Sequence, residues 1–106
     1  MAVVDHTSSL TPGPNLASMN DRYMVEANGE VVTINFSGIV NISTNAVVAN
    51  IPAALVPNTS NIFFSVFNHT NKTGAGARLT SGGQIIINDA ENGHDYWVGV
   101  TYVKRT

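Results

Sequence analysis

Two β-prone runs meet at Asn28-Gly29 in the stretch Tyr23-Met24-Val25-Glu26-Ala27-Asn28-Gly29-Glu30-Val31-Val32-Thr33-Ile34. A two-residue hairpin of type I′ needs positive φ at both central positions, and Asn followed by Gly tolerates it. The stretch therefore predicts an antiparallel hairpin. The strand after the turn alternates: Val32, Ile34, Phe36, Val40 and Ile42 fall on one face, and Thr33, Asn35, Ser37 and Asn41 on the other, with Ile39 the exception. A period of two is the signature of a half-buried strand. Gly38 takes an inward position, where a bulge or a close neighbour is expected.

The rest of the chain reads the same way. Its 13 Val and 10 Thr suit a pleated surface, and its 13 Asn and 9 Gly suit tight turns. Asn45 to Ile51 reads as a strand stopped by Pro52, and Ala53 to Pro57 as a loop or single helical turn. Asn61 to Asn68 reads as a strand apolar on both faces, with Ile62, Phe64 and Val66 opposite Phe63 and Phe67. Asn71 to Gly76 reads as a flexible turn. Ala77–Thr80 and Gln84–Asn88 read as a hairpin around Ser81-Gly82-Gly83. The last strand spans about Asp95 to Lys104, with Tyr96, Val98, Val100 and Tyr102 on one face and Trp97, Thr101 and Val103 on the other. About seven strands with turns every 8–12 residues imply an all-β fold, a single antiparallel β-sandwich or barrel of jelly-roll-like type. Residues 1–20, with Pro12-Gly13-Pro14, read as a linker or extended N-terminal arm ahead of a head domain over 21–106.

Charge narrows the choices. Only 11% of residues are charged, and Val31 to Asn71 contains no Asp, Glu, Lys or Arg. A monomeric sandwich normally carries charges on its solvent faces and edges. A homo-oligomer would bury such a surface most simply. The net charge of −2 leaves no basic footprint for nucleic acid. No run approaches 18 consecutive apolar residues, so no membrane insertion is expected. Met1 to Leu10 carries Asp5 and no basic residue, which does not read as a signal peptide. With no cysteine, disulfides, thiolate metal sites and thiol catalysis are excluded.

Few residues could carry chemistry. His94-Asp95 could form a base and its orienter, but neighbours in a strand face opposite ways, so solvated loop-end residues are the plainer reading. Asn88, Asp89, Glu91, Asn92 and Asp95 gather oxygen ligands without a calcium-loop pattern, so no metal or other cofactor is expected. The sequons at Asn35, Asn41, Asn58, Asn68 and Asn71 are what an Asn- and Thr-rich chain produces by accident. Trp97, the single tryptophan, lies off the main apolar face of the last strand beside His94 and Asp95. An exposed indole beside polar groups suits a neutral saccharide. It suits an oligomer interface equally well. Arg78 could clamp a phosphate or carboxylate, or pair across subunits. His69, at a strand end, is a further candidate.

The segments Gly29-Glu30-Val31-Val32-Thr33-Ile34 to Gly38, Ile51-Pro52 with Pro57, Leu79-Thr80-Ser81-Gly82-Gly83-Gln84-Ile85, and Trp97 to Val103 with Thr101-Tyr102 form a pattern over roughly residues 28–103. It resembles the C-terminal head domain of receptor-binding proteins, from the tail fibre or baseplate of phages infecting Gram-positive bacteria. The resemblance implies a trimeric β head in the virion, at the tail tip or baseplate. It implies reversible adhesion to host cell-wall saccharide, with other phage tail proteins as partners and assembly in the host cytoplasm. The family's sugar sites often use His-x-Asp in the hairpin strand and Trp on the next strand. Here those places hold Arg78 and Thr80, and Ile87 or Asn88. Two readings follow. Either this head binds a different sugar elsewhere, at His94, Asp95 and Trp97 with Arg78 and His69 in support, or it is a structural virion protein with no ligand. A small glycan-degrading enzyme would need paired carboxylates, and Asp89, Glu91 and Asp95 are the only local group.

Overall fold

The computed structural model describes residues 2–104. Nine strands make up the fold: β1 (Val3–Asp5), β2 (Thr11–Pro12), β3 (Leu16–Ala27), β4 (Val31–Val40), β5 (Ala46–Asn50), β6 (Asn61–Asn68), β7 (Thr73–Thr80), β8 (Gln84–Ile87) and β9 (Asp95–Val103). Among the described residues, the only helical pieces are single 3₁₀ turns at Thr7–Ser9 and Ala53–Leu55. Asn28 and Gly29 adopt φ of 55° and 70°, and Glu30 N–H donates to Ala27 C=O at 3.1 Å, closing the predicted hairpin between β3 and β4. The hairpin over 77–88 and the final strand also form as expected.

All strands pair antiparallel in one sheet of order β1-β3-β4-β9-β6-β7-β8-β5-β2. Laid flat, nine strands would hold β1 and β2 roughly 38 Å apart. Yet β1 ends at Asp5 and β2 begins at Thr11, a reach of about 20 Å at most. The sheet must therefore curl until its two edges approach. The connecting segment stitches them together. His6 N–H donates to Met24 C=O at 2.8 Å on the β3 side, and Gly13 N–H donates to Val48 C=O at 2.9 Å on the β5 side.

Within residues 2–20, Val3–Asp5, Thr11–Pro12 and the start of β3 thus belong to the sheet, where the sequence suggested a linker or arm. β3 itself runs through the expected boundary at residue 20. Two facts explain the difference. Leu10, isolated among polar residues, is completely buried, so it anchors the segment. Pro12 is tolerated because β2 is an edge strand, where one missing N–H breaks no ladder. A second difference concerns the expected turn at 71–76. β7 already begins at Thr73, and the turn tightens to 69–72 with Lys72 at φ 59°.

The inward faces supply one core. Val32, Ile34, Phe36 and Val40 of β4 meet Tyr96, Val98, Val100 and Tyr102 of β9, with Met24, Leu79, Ile85 and Ile87 around them. A β-carbon on Gly38 would collide with the carbonyl of Ser18 and the side chain of Leu16, the close approach expected there. Beside it, β3 bulges between Leu16 and Ser18. A charge cluster gathers around buried Glu26, with His6 and Lys104 half-buried beside it. Glu26 accepts from His6 Nε2 at 2.9 Å and pairs with the Lys104 ammonium, which together with His6 holds its carboxyl below the usual range.

Candidate functional site

Trp97 lies on the outer face of β9 because its neighbours Tyr96 and Val98 point into the core. It is 48% exposed. The register sets it level with Ser37 of β4 on one side and Phe67 of β6 on the other. The two sides differ. Towards β6, the indole meets an aromatic cluster: the His69 ring stacks on it at 4.1 Å and 16°, and Phe67 tilts against it at 5.6 Å. Towards β4, it forms the wall of an open groove of about 580 Å³.

The groove floor and far wall come from β3 and β4: Asn20, Asp21, Asn35, Ser37 and Ile39, with Asp95 beside the indole. A second bulge builds the far wall. Between Asn20 and Tyr23, β3 holds one residue more than β4, and Asp21 takes a left-handed φ of 54°. Such a bulge bends a strand and re-aims a side chain. Asn35 Nδ2 donates to the Asp21 carbonyl at 3.3 Å, tying the bulge to the groove floor. The indole is fixed from two directions. Its Nε1–H donates to Asp95 Oδ2 at 3.3 Å, and the strand end is held by Asp95 N–H to Thr70 Oγ1 and His69 N–H to Asp95 C=O, both 2.8 Å.

Of the five residues singled out from sequence, the structure brings Trp97, Asp95 and His69 together and leaves two elsewhere. His94 turns to the loop behind the strand. Its Nδ1 lies 3.1 Å from Asn68 Nδ2 and 2.9 Å from Glu91 Oε2, accepting from the amide when bare and donating to the carboxylate when protonated. Asn68 is buried and also donates to the Tyr96 hydroxyl, so His94 pins the 88–94 loop to the core. Arg78 sits on β7, two strands beyond β9, where its guanidinium donates to Asn88 Oδ1 at 2.7 Å. The acidic group disperses too: Glu91 accepts from Asn71 Nδ2, and Asp95 holds the indole. Among the described residues, no three His, Asp or Glu side chains converge as metal ligands.

Asn20, Asp21, Asn35 and Ser37 were not anticipated as site residues. Only the polar Asn20-Asp21-Arg22 interruption of a β-prone run hinted at a bulge.

No family model and no curated protein matches the chain. Among solved structures, the fold is similar to the receptor binding protein (gp15) of Listeria phage PSA. The TM-score is 0.69 at 21% identity, covering 99% of this chain and 67% of that one.

Proposed function

We propose that this chain is a receptor-binding domain of a phage tail, adhering reversibly to cell-wall saccharide of a Gram-positive host through the groove beside Trp97. The observation that carries the reading is the pairing of a fixed, half-exposed indole with amide, hydroxyl and carboxyl groups across an open groove. An aromatic face packs against sugar C–H bonds while directional polar groups read hydroxyls. The likeness in fold to a phage receptor binding protein over nearly the whole chain supports the same reading. Binding residues on a rigid β scaffold lose little freedom on contact, which favours weak but specific adhesion.

A single site of this kind is expected to bind at micromolar to millimolar strength, about −4 to −8 kcal/mol. Several copies on one tail tip would raise avidity by about 10²–10⁴. Homo-oligomerisation, as a trimer on the family resemblance, fits the apolar outer row Val3, Ala27, Val31 and Val103 and the exposed Phe63. The other side of such a head would meet further tail proteins, placing it in the virion. The test is a sedimentation pull-down of the labelled chain on Gram-positive cells and isolated wall polysaccharide. Saturable binding that free polysaccharide competes away is the expected result. Retention no greater than that of an unrelated β-sandwich would overturn the proposal and favour a purely structural virion protein.

A further inference from the structure

The groove carries a sign. Among the described residues, its lining includes two acidic residues, Asp21 and Asp95, and no lysine or arginine. Nearby basic side chains are engaged elsewhere: Arg22 donates to the Leu10 carbonyl, Lys104 pairs with Glu26, and Lys72 lies against His69 on the opposite side of the indole. Carboxylates repel a phosphate or uronate, and the cost rises where water is partly displaced. The same groups attract an ammonium, and an indole face adds a cation–π contact. Asp95 combines the two effects, since one of its oxygens holds the indole Nε1–H and leaves the other free to accept.

We propose that the groove selects a saccharide bearing a free primary amine, whose ammonium sits against the Trp97 face between Asp21 and Asp95. The inference rests on the groove being the saccharide site and deepens that reading. Asn20, Asn35 and Ser37 then take the ring hydroxyls, and phosphate-bearing sugars are turned away.

The full chain is titrated with four probes, read by the fluorescence of its single tryptophan and by calorimetry. They are the glucosamine trisaccharide, its N-acetylated twin, glucose 6-phosphate and alanine methyl ester, which carries an ammonium without a sugar ring. The expected result is glucosamine trisaccharide at least tenfold tighter than the N-acetylated twin, with no detectable binding of the phosphate. Its affinity should fall at least fivefold in each of Asp21→Asn and Asp95→Asn, and fall further as salt rises. The alanine ester should bind at least tenfold more weakly than the amino sugar. Equal binding of the two trisaccharides overturns the amine proposal while leaving a saccharide groove in place. Tight binding of the ester overturns it in favour of an amine site indifferent to sugar. Binding that survives Trp97→Ala unchanged removes the site from the groove altogether, and silence towards all four probes overturns the amine proposal even where wall polysaccharide still binds.

Discussion

Replacing Trp97 by alanine separates adhesion from folding. The indole is 48% exposed, so the substitution removes about half of a buried aromatic's contacts. A fully buried Trp→Ala costs ~3–5 kcal/mol, which scales here to roughly 2 kcal/mol. Most of that is contact with Phe67 and His69. Domains of this size are stable by about 5–15 kcal/mol, so the variant should stay folded. Its thermal midpoint should fall by about 10 °C. Wall binding should drop far more: losing an anchor worth at least ~2 kcal/mol means roughly 30-fold or greater loss of affinity. Circular dichroism follows the fold, and the cell pull-down follows adhesion. Trp97→Phe keeps an aromatic plane but loses the Nε1–H bond to Asp95, so it should fall between the two. Unfolding of the alanine variant would refute the outer-face energetics. A folded variant that binds like the parent would refute the indole as the platform.

Gly38→Ala should destabilise by about 1–3 kcal/mol, read as a lower denaturation midpoint, because the new methyl meets the Ser18 carbonyl and Leu16. Stability should also fall in acid. The Glu26 carboxyl is held low in the folded chain by Lys104 and then His6, so its contribution is present above the ordinary glutamate value and fades as pH drops through the folded one. Thermal melts from pH 7 to 3 should therefore show the gap between the parent and Glu26→Gln narrowing in acid. Phe63 is 74% exposed, so Phe63→Ser should shift the monomer's stability by less than about 0.5 kcal/mol. Its effect should appear in light scattering, where the parent exceeds the 11.2 kDa of one chain and the variant moves towards it.

Local pattern carried the strands well and their mutual placement poorly. The alternation of β4 and β9 named the inward residues correctly, because one buried face leaves a period-two trace in each strand. Asn28-Gly29 marked its turn because backbone geometry there restricts residue type. The site depended on something no local window contains. His69 reaches Trp97 only because β6 pairs with β9, and Asp21 faces the groove only because β3 gains a residue against β4. His94 and Asp95 separate as the alternation of neighbours along a strand requires. Their side chains leave the strand on opposite sides, and buried Asn68 takes the imidazole. The strands within residues 2–20 leave little trace in the sequence because edge strands carry weak apolar patterns, and the buried Leu10 and Leu16 stand isolated among polar residues.

The stitched edges bear on how the chain reaches this shape. The hairpins β3–β4, β6–β7 and β7–β8 join near neighbours in sequence and can form early. β2 cannot dock so soon. β2 waits for β5, whose own partner β8 lies nearly forty residues further on, and β4 waits for β9 at the far end of the described chain. The segment translated before its partners is thus the last to find its place. Folding dominated by such distant pairings runs on the millisecond-to-second scale. Until the seam closes, two bare sheet edges and the Leu10 pocket lie open, and that interval is when copies of the chain would most readily join edge to edge.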